Sequence, residues 1–189
     1  LYPHVPVVAG GIEASLRRLT HYDYWTDALK PSVLAESGAD LLIYGMGEGV
    51  VQQVAKAMRN GYNAKLLRKI RQVAFLADEN YVSRLDPATT IRLHSYEDCL
   101  RDKRAFGENF TVEETQSNLL EPDATLVERV GDRYVVVTPP NATLTTEELD
   151  RSFDLPYERA PHPRYDGKGA IPAWEMIKHS VNIHRGCFG

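Results

Sequence analysis

Two β-prone runs, each stopped by glycine and each followed by apolar residues at helical spacing, constrain this chain more than any other feature. Val5-Pro6-Val7-Val8-Ala9 ends at Gly10-Gly11, and Ile12, Leu16 and Leu19 then recur on one helical side with Arg17 and Arg18 on the other. Asp40-Leu41-Leu42-Ile43-Tyr44 ends at Gly45, and Gly47-Glu48-Gly49 leads into a stripe of Val50, Val51, Val54, Ala55 and Met58 closed by Asn60-Gly61. Between the two units, Pro31-Ser32-Val33-Leu34-Ala35 with Gly38 just beyond has the proline-in, glycine-out order of a short helix. A third apolar run, residues 70–76, completes a strand–helix–strand–helix–strand order. That order predicts a doubly wound α/β domain over residues 1–90, built on a parallel sheet with right-handed crossovers.

The pattern changes after residue 90. Ser95-Tyr96-Glu97-Asp98 opens a capped helix with Cys99, Leu100 and Phe106 on its apolar stripe and the charges of residues 101–104 opposite. Residues 124–130 and 133–137, joined by Gly131-Asp132, read as an antiparallel hairpin. A capped turn of helix at Thr145 to Leu149 and a proline-punctuated stretch from Leu155 to Pro163 follow. Residues 91–170 are therefore expected to form a small α+β connector. Residues 171–178 suit a short helix, and Ser180 to His184 alternates with period two, which predicts a strand running into Arg185-Gly186-Cys187.

Of the 189 residues, 43% are hydrophobic and 25% charged, which excludes disorder for most of the chain. The formal charge of -4 gives no whole-chain basic field for nucleic acid or anionic lipid. The longest apolar runs fall far below the roughly 20 residues of a membrane span, and the first residues lack a secretion signal. A cytoplasmic protein without membrane or nucleic-acid partners is expected. Cys99 and Cys187 are too few for a disulfide framework. The chain lacks an initiator Met and stops on Cys187-Phe188-Gly189, so it reads as a piece of a longer polypeptide.

Chemistry is expected in two places. Gly10, Gly11, Gly45 and Glu48 lie at the carboxyl ends of predicted parallel strands, where open α/β sheets bind ligands. Their spacing does not match G-x-G-x-x-G, and tight turns that require glycine are the favoured explanation of them. Glu13 and Glu48 could accept hydrogen bonds from a ligand or simply complement a helix dipole. The second place is Cys187, a thiol on a glycine-flanked loop that suits an iron or zinc ligand, whereas Cys99 on its helix stripe suits core packing. The aromatics His21-Tyr22-Asp23-Tyr24-Trp25 are expected to fill the gap where the first helix meets the rest of the protein or a partner domain, with Arg17 and Arg18 solvated or paired, in preference to a cation-plus-aromatic surface for single-stranded nucleic acid. His162 and His179 have no nucleophile at a suggestive spacing.

The sequence resembles the YgiQ-type, UPF0313 group of radical S-adenosylmethionine (SAM) proteins. The resemblance is carried by residues 7–18, by His21-Tyr22-Asp23-Tyr24-Trp25, by residues 39–48, by Ala160-Pro161-His162-Pro163 and by residues 180–189. It implies an incomplete Rossmann-like sheet, similar to a cobalamin-binding domain, and makes residues 171–189 the start of a partial TIM barrel, truncated here. It also implies that Cys187 matches the first position of a C-x-x-x-C-x-x-C loop holding a [4Fe–4S] cluster. The parent protein would then cleave SAM to a 5′-deoxyadenosyl radical that acts on an unknown substrate, with the rest of its own barrel as partner. Cobalamin is compatible with the resemblance, and nothing in the sequence supports it. The alternative is a non-catalytic module that binds a nucleotide or corrinoid, or covers the barrel and recognises a macromolecular substrate.

Overall fold

The computed structural model describes residues 5–181. It divides into two compact units, Leu1–Thr143 and Leu144–Gly189. The first unit is built on a six-stranded sheet of β1 (Val8–Ala9), β4 (Leu41–Ile43), β5 (Val73–Ala77), β6 (Thr90–Arg92), β7 (Thr125–Val130) and β8 (Arg133–Val137) in the order β1-β4-β5-β8-β7-β6. A separate hairpin pairs β2 (His21–Asp23) with β3 (Ala28–Lys30). The helices of this unit are α1 (Ile12–Leu16), α2 (Val33–Ser37), α3 (Glu48–Arg59), α4 (Ala64–Leu67), α5 (Glu79–Val82), α6 (Tyr96–Arg101) and α7 (Lys103–Ser117).

The class is α/β, as the strand and helix signals require. β1 and β4 pair in parallel, with Val8 opposite Leu41 and Ala9 opposite Leu42, so the first glycine-turned unit is present as expected. The third strand corrects the expectation: β5 lies beside β4 but antiparallel, and β8 then pairs antiparallel with both β5 and β7. The sheet is mixed, with parallel pairing also between β6 and β7. The cause is the path after α3. Instead of one helix delivering the chain to the far end of the sheet, α4 and the turn through Gln72 return it to the end where β4 stops. Val73 therefore faces Ile43, and the Gln72 side chain, itself at φ 65°, donates to the carbonyls of Tyr44 and Met46, both at 2.7 Å.

Strand alternation divides the interior into two layers. Leu41, Ile43, Val73, Phe75, Val127 and Val136 pack with Val50 and Val54 of α3 and Val82 of α5 on one face. Leu42, Ala74, Leu126, Val135 and Val137 pack with Leu19 and Leu34 on the other, where Val112 of α7 joins them. The boundary expected near residue 90 falls within this sheet, because β6, β7 and β8 extend the same sheet as β1, β4 and β5.

Local signals explain several boundaries. Gly38, left-handed at φ 69°, ends α2, and Ser95 with Asp98 forms a reciprocal capping box at the start of α6. The expected single helix after Ser95 is two helices, because Asp102 is extended (φ -134°, ψ 113°) and its side chain caps α7 by accepting the Arg104 N–H. The apolar stripe expected on α1 is mostly outside the core, with Ile12 and Leu16 exposed. In the second unit, α8 (Thr146–Phe153) begins with a Thr145–Glu148 capping box, a short 3-10 turn spans Pro163–Tyr165, and α9 spans Pro172–Ile177. Ser180 and Val181 are not in a strand, and the rest of the expected Ser180 to His184 strand lies outside the described residues, as does Cys187.

Candidate functional site

The glycine turns meet where the sequence places them, at the carboxyl ends of adjacent parallel strands. Gly11 precedes α1 at φ 92°, and Gly45 follows β4 at φ 66°, conformations that favour glycine. Gly10 is a different case, since a Cβ there would meet only the Ile43 carbonyl at an ordinary 3.6 Å. Ser15 joins the two turns: its hydroxyl donates to the Gly11 carbonyl at 2.8 Å and accepts the Gly45 N–H at 3.1 Å. The Gly45 amide is thus engaged within the fold. Glu48 occupies the first turn of α3, and Glu13 pairs with Arg17 at 3.2 Å.

Among the described residues no group of three His, Cys, Asp or Glu side chains could hold a metal ion. Cys99 is buried, Asn109 Nδ2 lies 3.4 Å from its sulfur, and burial pushes its thiol up to about 11. A thiol kept neutral in this way is unsuited to ligation. The described residues do not provide an iron–sulfur site. Tyr22, Tyr24 and Trp25 of the aromatic cluster do not fill a gap within the described residues. Tyr22 lies on the β2–β3 hairpin, and Tyr24 and Trp25 form its exposed tip with ring centroids 4.7 Å apart. Arg17 pairs with Glu13 and Asp23, and Arg18 with Glu113, so both are paired cations.

The least anticipated feature is a cavity of about 330 Å³ over the opposite side of the sheet from α3, lined by Leu19, Thr20, Phe106, Phe110, Glu113 and Glu128 among others. Glu128 of β7 is 1% exposed. Its Oε2 accepts the Thr20 N–H at 2.9 Å, and no hydrogen bond within the described residues reaches Oε1. Burial, reinforced by the carboxylates of Glu113 and Glu97, pushes Glu128 up to about 7 against the partial relief given by Thr20. The Thr20 hydroxyl is buried nearby without meeting hydrogen-bond geometry. Glu113 of α7 is likewise raised by burial in spite of Arg18. Arg18 also donates to the Ser15 carbonyl at 2.6 Å and lies 5.0 Å from the Tyr44 ring centre. Strand periodicity carried a signal for this acid: in Leu126-Val127-Glu128-Arg129-Val130, Glu128 shares its face with Leu126 and Val130.

The architecture is that of an α/β domain built on a mixed sheet, with two glycine turns at the carboxyl ends of adjacent parallel strands. The chain belongs to the Radical SAM N-terminal family, whose model matches residues 1–180, and to the UPF0313 group within it. A UPF0313 protein of Porphyromonas gingivalis is 54% identical over the whole of this chain, which covers 29% of that relative. UPF0313 proteins of Bacteroides thetaiotaomicron and Bradyrhizobium diazoefficiens are 47% and 45% identical, with the whole chain covering 32% and 30% of their lengths. The chain thus spans less than a third of the curated relatives it matches. No solved structure matches it. Among the described residues, no helix is long and apolar enough to cross a membrane.

Proposed function

We propose that this chain is the N-terminal α/β part of a radical SAM enzyme, and that Cys187 contributes one thiolate to a [4Fe–4S] cluster whose remaining ligands belong to the parent polypeptide. The observation that carries this reading is the Radical SAM N-terminal match over residues 1–180, with the His184-Arg185-Gly186-Cys187 stretch beginning four positions beyond its end. When bound, such a cluster supplies one-electron reduction of SAM. The described residues contribute no ligand to it; their part is the mixed sheet and the helices that precede the cluster-bearing segment.

Anaerobic reconstitution of the parent polypeptide with iron and sulfide tests the proposal. Wild type is expected to take up iron and develop the broad visible absorption of an iron–sulfur cluster, whereas Cys187→Ala loses most of both. Equal iron content and absorption in the variant would overturn the assignment of Cys187.

A further inference from the structure

The cavity beside Glu128 is lined by no cysteine among the described residues, yet it has the attributes of a ligand site. Its volume of about 330 Å³ lies at the lower end of small-molecule pockets. Leu19 and Phe106 line its wall, and Phe110 and Tyr22, both more than half exposed, stand at its margin. An acid sits inside with Oε2 taken by the Thr20 N–H and no hydrogen bond to Oε1 within the described residues, and the neighbouring Thr20 hydroxyl, on a residue only 8% exposed, lies by that carboxyl without meeting hydrogen-bond geometry. Unsatisfied buried oxygens of this kind cost stability unless something donates to them.

The charges decide which kind of ligand fits. Glu113 and Glu114 of α7 and Glu128 of β7 all line the cavity, and Glu97 of α6 adds to the negative field at Glu128. The cations facing them are largely committed elsewhere. Arg18 is held by Glu113, the Ser15 carbonyl and the Tyr44 ring, which leaves its buried Nε as the one guanidinium nitrogen without a hydrogen-bond partner among the described residues, and burial keeps His21 towards its neutral form, with Nδ1 at 3.2 Å from the Leu19 carbonyl. The amide of Asn109 is also spent, bonded both ways to the His94 backbone. An anion entering here would meet three carboxylates against that single Arg18 N–H, whereas a donor-bearing cation would satisfy them.

We propose that this cavity binds a small organic cation, an ammonium or amidinium head on a flat apolar body, with the head against Glu128 and Thr20 and the body between Leu19, Phe106 and Phe110. Tryptamine is the probe of that shape. Indole has the same body without charge, and indole-3-acetate carries the opposite charge.

Calorimetric titration of the full 189-residue chain at pH 8 should show saturable tryptamine binding at least tenfold tighter than indole, with indole-3-acetate weaker than both. In amide-resolved nuclear magnetic resonance spectra, tryptamine should shift the Thr20 N–H. Glu128→Gln should weaken tryptamine at least tenfold and leave indole unchanged. Phe110→Lys, an exposed substitution that adds a competing ammonium at the margin, should weaken it comparably and keeps the test valid if the first variant does not fold. The proposal is overturned by an absence of saturable tryptamine binding, by indole-3-acetate binding as tightly as tryptamine, or by undiminished binding in whichever of the two variants folds.

Discussion

Glu128 makes stability pH-dependent in a direction opposite to that of most carboxylates. Its value rises from an unfolded 4.5 to about 7 in the folded chain, so the native state holds a proton that the unfolded state has released. Stability from this group is therefore intact below about pH 4.5, falls as pH rises and reaches its full deficit above about 7, a difference of about 3 kcal/mol. Glu113 acts in the same sense, while His21, whose value burial lowers, acts in the opposite one. The contribution of Glu128 is isolated by comparison with Glu128→Gln, which keeps an oxygen for the Thr20 N–H and cannot ionise. The melting temperature of the variant should gain on wild type by roughly 6–12 °C between pH 4.5 and pH 8. A gap that stays constant across that range would refute the ionisation account. None of the candidate residues named from glycine clustering or lone thiols led to this carboxyl, because its partner Thr20 stands 108 positions away.

Secondary elements were the most legible level of the chain, since their signals are local. The Asn60-Gly61 stop of α3, the Ser95 and Thr145 caps and the Gly131 turn all act where the sequence puts them. Ser95 is buried at the start of α6, with its side chain accepting the Asp98 N–H at 3.1 Å and donating to the Asp98 carboxylate at 2.6 Å. Replacing it with Ala should cost about 1–2 kcal/mol, read as a lower urea midpoint at unchanged slope, while Ser95→Thr should retain most of the stability. An Ala variant as stable as wild type would show that the box contributes nothing. The break at Asp102 was hidden because residues 101–104 form an uninterrupted charged run, and only the backbone turn reveals that Asp102 caps a second helix. The direction of β5 was hidden for a related reason: apolar periodicity identifies a strand and its faces but is identical whichever way the strand runs.

Both apolar layers draw their members from the first compact unit, so that unit has a complete core of its own. A chain ending at Thr143 should accordingly unfold in one cooperative transition within about 3 °C of the sheet transition of the longer chain. Loss of that transition in differential scanning calorimetry would mean that residues beyond Thr143 are required for the sheet. The family relationship was legible for the same reason as the elements, because its motifs are contiguous stretches.

The sequence by itself determined that the chain is α/β, that two glycine-stopped strands precede helices, and where the faces and caps of most elements fall, because these depend on periodicity and on neighbours a few residues apart. Only the tertiary structure decided that the third strand reverses, that residues on both sides of position 90 share one sheet, and that an acid, a threonine and two phenylalanines line one cavity. Those outcomes depend on chain path and on desolvation by distant residues, and neither is written in any short stretch of the chain.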